Sequence, residues 1–302
     1  MVDVRRGIVL AARDVVIRGT RIAAVQPSGG ALPSAKTVIE GRGKCALPGL
    51  IDADVVLARH TRESAATLLA DGITAVRAVG TDAATIAEWR RALAFGKIYA
   101  PRRARACDVQ GTAAAPAASS GRTPGEPGCS ALDPADASPL AALLRMRAPS
   151  FDAHDDTAAG SRLHDALELF GARGGGTPSA ALRAVTLDSA ALLALDDLGE
   201  IAVGKAADII VTTASTLVDV RHLRAIDAVV CRGGPLTQAH LNLLRVGRLP
   251  RGTSAAPYAA GRAGHGAAVV PSRRGKTPDH GQPVVGRRPP LQHDHQRRRP
   301  VD

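Results

Sequence analysis

Residues 41–56 read GRGKCALPGLIDADVV. A Gly-rich connection, Gly41-Arg42-Gly43, gives way at Cys45 to an apolar run over 46–51, which predicts a short buried strand. N-terminal to this stretch the chain is written in β grammar. Short β-branched runs at 7–11, 15–17 and 22–25 flank a Gly19-Thr20 turn, with another at 37–39, the pattern of hairpins. C-terminal to it the period lengthens. A helical pattern over 61–70 ends at Gly72, where a C-cap glycine belongs, and a strand over 73–79 follows. Thr81 then N-caps a helix over 83–95 that Gly96 stops. Strand, helix, strand, helix at this spacing predicts βα units with parallel strands. Residues 41–56 are therefore where a small β unit passes into an α/β one.

Farther on, the pattern fails. Residues 108–137 carry Pro or Gly every few positions and no strand-like window, so this stretch reads as a linker or a scar rather than a regular element. Helices are predicted at 139–147 and 161–170. Thr177-Pro178 is an N-cap followed by Pro at the first helical position, opening a helix through 184, with a short one at 189–195. After Gly199 the chain returns to β: 200–203, a Gly204-Lys205 turn, 208–212, and 225–231 before a Gly233-Gly234 turn.

Composition bounds the function. The 302 residues are 45% hydrophobic, enough for a core, but only 2% aromatic, which excludes stacking platforms for single-stranded nucleic acid. The core must be Ala, Val, Leu and Ile. The net charge of +11 is unevenly placed: residues 251–302 account for +7 of it, in a Gly-, Pro-, Arg- and His-rich stretch with almost no apolar periodicity. Such a stretch buries too little to offset its ordering entropy, so a disordered basic tail is expected. Any nucleic-acid contact through it would be electrostatic and without specificity. Cys45, Cys107, Cys129 and Cys231 show no metal or redox spacing, the N-terminus lacks a signal-peptide core, and no apolar run is long enough to span a membrane. The expectation is a cytoplasmic protein with no membrane partner.

Four phrases carry a resemblance. PGLIDADVV (48–56), LLADGITAVRAVG (68–80), SRLHDALELF (161–170) and TPSAALRAVTLDSAALLALDDLGEIAVGKAADIIVT (177–212) together resemble the amidohydrolase superfamily, in its imidazolonepropionase-like and Xaa-Pro dipeptidase-like branch. The resemblance covers roughly 1–106 and 149–235. It implies a (β/α)8 barrel capped by a β-sandwich built from both chain ends. It also implies hydrolysis of a carbon-nitrogen bond in a small amide, lactam or dipeptide-like substrate by metal-activated water, with zinc the usual metal.

The ligands implied by the resemblance are largely missing. Its His-x-His pair falls on Asp54 and Val56, of which only the first could hold a metal. Strands four to seven, with a bridging ligand and two further His, would fall where the low-complexity stretch stands. SFDAH (150–154) resembles the phrase ending the eighth strand, which puts Asp152 in the position of metal ligand and catalytic base. Asp152 also reads as an ordinary acid near a helix start, and His154 with Asp155 and Asp156 as a solvated loop. His164 matches a position often His in the branch, where it would line a substrate pocket; packing on the helix surface is an equal reading. His293-Asp294-His295, in the tail, has no strand to present it.

Length points the same way. A barrel needs about 200–250 residues, and 46–197 supplies 152, some thirty of them low-complexity. The expected organisation is an N-terminal β-sandwich segment (1–45), the first βα units of a barrel (46–106), a linker or deletion scar (107–148), the last barrel unit (149–197), a C-terminal β-sandwich segment (198–250) and the tail (251–302). The fold class is α/β, an incomplete TIM-type barrel with a small β-sandwich. Open sheet edges raise the possibility of a homo-oligomer. The expected function is an impaired or inactive carbon-nitrogen hydrolase, the alternative a non-catalytic remnant of the family serving interaction.

Overall fold

The first long hairpin turns at Gly19, whose φ of +56° suits glycine. It joins β3 (Arg13–Arg18) to β4 (Arg21–Pro27) in antiparallel register, as the Gly turn predicts. The computed structural model describes residues 1–30, 33–55, 62–79, 83–94, 99–107, 138–146, 159–248 and 268–270. Before this hairpin lies a shorter one, β1 (Val2–Asp3) with β2 (Ile8–Val9), and after it β5 (Thr37–Val38).

The apolar run that reads as one strand is two. β6 (Cys45–Pro48) and β7 (Leu50–Val55) belong to different sheets, and the chain crosses between them at Gly49. A Cβ on Gly49 would lie 2.6 Å from Thr74 Cγ2 and 2.8 Å from Thr74 Cβ, and closer still to Oγ1. The crossing is thus open only to a residue without a side chain.

From β7 the chain makes α1 (Arg62–Ala70), β8 (Ile73–Val79), α2 (Ala83–Ala94) and β9 (Arg102–Cys107). Gly72 takes a φ of +81° as the C-cap. β7, β8 and β9 pair in parallel in that order, as alternating βα units require. Among the described residues this parallel sheet has three strands and does not close into a barrel. β9 had no counterpart in the pattern read from the sequence.

Helices α3 (Pro139–Met146), α4 (Ala159–Ala172) and α5 (Pro178–Arg183) follow. Thr177 caps α5 as expected, its Oγ1 accepting from Ala180 N at 3.2 Å. α5 runs into a single π-turn over Ala184–Asp188 and then α6 (Ser189–Leu192). There the Thr186 and Ser189 hydroxyls donate to the Leu182 and Ala184 carbonyls at 2.6 and 2.7 Å, the second to an oxygen that also accepts from Ser189 N. The expected strand at 200–203 is instead a bend and turn, because Gly204 at φ +85° reverses the chain. This turn docks on the first long hairpin: Gly204 N donates to Ile22 O, and Ile22 N to Lys205 O, each at 2.9 Å.

β10 (Ile209–Thr212), β11 (Ile226–Cys231) and β12 (Gly234–Thr237) then build a sheet with β6, in order β12-β11-β10-β6. β13 (Ala268–Val270), from the stretch expected to be a tail, joins the second sheet, in order β4-β3-β13-β5. The rest of that stretch, and most of the expected linker, lie outside the described residues.

Both faces of the β6-containing sheet are buried. Ala46, Ile209, Val211, Ala228 and Val230 meet Val15, Ile17 and Ile22 of the other sheet. Their neighbours along the strands, Cys45, Leu47, Ile210, Val229 and Cys231, face the helices and the parallel strands. This period-2 division between two cores makes the sandwich, assembled from both chain ends as expected, continuous with the α/β part. α7 (Gln238–Arg245) closes the described core, burying Leu241 and Leu244 against α1 and the sheet. Among the described residues no helix is long and apolar enough to cross a membrane.

Candidate functional site

In a parallel α/β sheet the chemistry belongs at the C-terminal ends of the strands, where loops can converge. Here those ends are Asp54-Val55 of β7, Val79 of β8 and Cys107 of β9. The register of β7 on β8 slips between Asp52 and Val55. At that slip Arg77 of β8, only 7% exposed, donates from Nε to the Ala53 carbonyl at 2.6 Å. Asp52, one residue earlier, is fully buried. A buried acid and a buried guanidinium thus flank the last residues of β7.

Arg77 was missed in the sequence. Its signal was present, a lone charge in the otherwise apolar strand ITAVRAV, where solvent exposure would have been the default reading.

Of the expected site residues, Asp54 and His164 lie in described elements and are far apart. Asp54 is the second-last residue of β7, whereas Asp152 and Val56 lie outside the described residues. His164, on α4, is 4% exposed and sits against Asp71, which precedes β8. Leu50 N, at the start of β7, donates to Gly72 O at 3.0 Å, so His164 lies where the strands begin. Four residue steps along β7 separate that end from Asp54, on the order of 13 Å. Burial, then the neighbouring Arg224, pull the His164 pKa down to about 4 against a hydrogen bond to the Asp71 backbone, and Nε2 is buried without a partner. A neutral imidazole packed beneath α1 and the Val220–Arg224 turn is a core group, which favours the packing reading of His164 over substrate contact.

The opposite end of the sheet is braced by charge. Asp208, 5% exposed, meets Arg102 Nε at 3.1 Å and accepts from Arg232 N at 2.5 Å. Burial works against the Arg102 charge, but Asp208, Cys231 and Asp197 more than compensate and raise its pKa. This pair fastens the start of β9 to the sandwich. Cys45 and Cys231 are buried thiols held in the neutral form: burial raises the Cys45 pKa and pushes the Cys231 thiol up to about 12.

The donor set does not fit the metal implied by the resemblance. Val56 offers no lone pair, and among the described residues no three His, Cys, Asp or Glu side chains are grouped to hold an ion.

Residues 140–236 match the model of the amidohydrolase family. The match is confined to that segment, about a third of the chain. It runs from α3 through β12 and contains the return of the chain into the sandwich. Among solved structures, the chain is similar to that of a protein given as a prolidase from Bifidobacterium longum, at 19% identity and a TM-score of 0.53, over 75% of this chain and 91% of that one. A Xaa-Pro dipeptidase with bound methionine is similar at 15% identity and a TM-score of 0.53, over 75% and 98%. Molinate hydrolase is similar at 16% and 0.52, over 80% and 93%. At these identities the likeness is one of fold. No curated protein matches the chain. The amidohydrolase resemblance read from the four phrases, in its Xaa-Pro dipeptidase-like branch, thus meets a family match in the second half and a shared fold over most of the length.

Proposed function

We propose that this protein has the scaffold of a hydrolase of carbon-nitrogen bonds and is impaired or inactive in that reaction. The scaffold reading rests on the family match over 140–236 and on neighbours titled prolidase, dipeptidase and molinate hydrolase. The observation that carries the impairment is the sequence at the end of β7, where Asp54 and Val56 stand at the two positions that the resemblance gives to His. An aliphatic there removes a ligand outright, and water bound by too few ligands is not activated at neutral pH.

Should turnover exist, the resemblance gives Asp152 the role of taking a proton from water and Asp54 that of helping to hold a metal. The substrate would be a small amide or dipeptide. The test is hydrolysis of Xaa-Pro dipeptides, N-acyl amino acids and a lactam by the full chain in zinc-supplemented buffer. No turnover above heat-denatured protein is expected. Zinc-dependent turnover that Asp152→Ala abolishes would overturn the impairment and restore the enzyme.

A further inference from the structure

One end of the sandwich core is finished in charge. Along β3, Arg13 shares a face with Val15 and Ile17, and Lys44, just before β6, shares one with Ala46. Val15, Ile17 and Ala46 belong to the core between the two sheets. The period-2 pattern thus brings one cation from each sheet to the same place. Both line a cleft of about 20 Å³ whose apolar lining is Val15, Ala46 and Val211, and no acidic side chain lines it.

The two cations are not equally balanced. Lys44 Nζ meets Asp227 Oδ2 at 2.6 Å, and Asp227 is the unpaired residue of the β10–β11 bulge. No carboxylate pairs with Arg13 among the described residues, and its Nε is buried without a hydrogen-bond partner. Arg13 and Lys44 against Asp227 leave one surplus positive charge at the cleft. A partly buried charge without a partner costs stability that a counterion recovers.

We infer that this cleft binds one small monovalent anion, chloride or the carboxylate head of a small acid, between Arg13 of one sheet and Lys44 of the other. Size and charge select the class. A space of about 20 Å³ holds roughly one water-sized group, which admits a halide or a carboxylate and excludes sulfate and phosphate esters. One surplus charge calls for one negative charge, and a guanidinium suits a carboxylate. The bound ion ties the two sheets of the sandwich together at this end. The inference does not rest on the hydrolase reading.

The experiment is thermal melting of the full chain at constant ionic strength and pH 7, a bulky sulfonate salt being replaced stepwise by sodium chloride or sodium acetate. Tm should rise saturably with at least one of the two, by about 3–5 °C at ten times the Kd that the curve gives. The salt that saturates at the lower concentration names the preferred ligand. Arg13→Gln should melt no lower than the parent in sulfonate and should lose the rise. Arg18→Gln, at the exposed far end of β3, changes the net charge equally and should keep it.

Absence of a saturable rise with either salt would overturn the inference. So would a rise that survives Arg13→Gln, or one that Arg18→Gln abolishes as well, which would make it an effect of net charge. If Arg13→Gln fails to fold, Ala46→Val is read in its place, since the added methyl groups fill the cleft: loss of the rise supports the site and its retention overturns it.

Discussion

Gly49 is where the fold is most exposed to a single added methyl group. A Cβ at this position falls 2.6 Å from Thr74 Cγ2 and 2.8 Å from Thr74 Cβ, against an ordinary contact of about 3.5–4 Å. Thr74 is 1% exposed and cannot swing into solvent. Gly49→Ala therefore forces β7 and β8 apart or Thr74 off its rotamer, an overpacking cost of about 3 kcal/mol. In a chain of this size that lowers Tm by roughly 6–12 °C. Thr74→Ala alone should be nearly neutral. It loses one buried methyl, worth about 0.8 kcal/mol, but also removes a hydroxyl that is buried without a partner. In the double variant two of the three clashes vanish, so the cost should fall by at least about 1 kcal/mol below the sum of the single ones. Urea unfolding followed by the fluorescence of Trp89, the one tryptophan and a core residue, measures all four corners of the cycle. Strict additivity would refute the close approach, and with it the crossing between sheets at Gly49.

His164 makes the protein acid-sensitive. Its folded pKa of about 4 lies below the ordinary 6.5, so the unfolded state binds the extra proton first. Stability should be full above pH 6.5 and fall by about 3 kcal/mol as pH drops toward 4, a slope that His164→Leu should flatten in pH-dependent urea melts. At the other end of the sheet, Arg102→Met leaves Asp208 with Arg232 N as its remaining close partner. It should cost about 2–4 kcal/mol, and Arg102→Lys, which keeps the charge, less. Equal cost in the two variants would refute a bracing role for the charge.

Much of the architecture is legible because local chemistry and tertiary context agree. Gly19 and Gly72 take the positive φ that their positions predict, and Thr177-Pro178 opens α5 with its cap in place. The failures have specific causes. The run CALPGLID reads as one strand because β6 and β7 are buried over their whole readable length, so hydrophobicity does not mark the break that Gly49 makes. β9 reads RRARAC, and alternating Arg hides a strand whose pairing comes from β8. The strand pattern at 200–203 is real, but Gly204 ends it before any ladder forms.

α7 had no counterpart in the pattern read from the sequence; Thr237 opens it with a capping box that His240 completes in place of the usual Glu or Gln, which hides the signature. The site was legible only as a deficit: Asp54 and Val56 say which ligands are missing, while the hydrogen bond from Arg77 to the Ala53 carbonyl is visible only once β7 and β8 are paired.

The decisive measurement is the rate of proline release from a Xaa-Pro dipeptide, with the zinc-supplemented full chain assayed beside an active dipeptidase. The proposed loss of water activation on an amidohydrolase-like scaffold requires a rate indistinguishable from buffer. Zinc-dependent release at a rate approaching that of the active enzyme would contradict it.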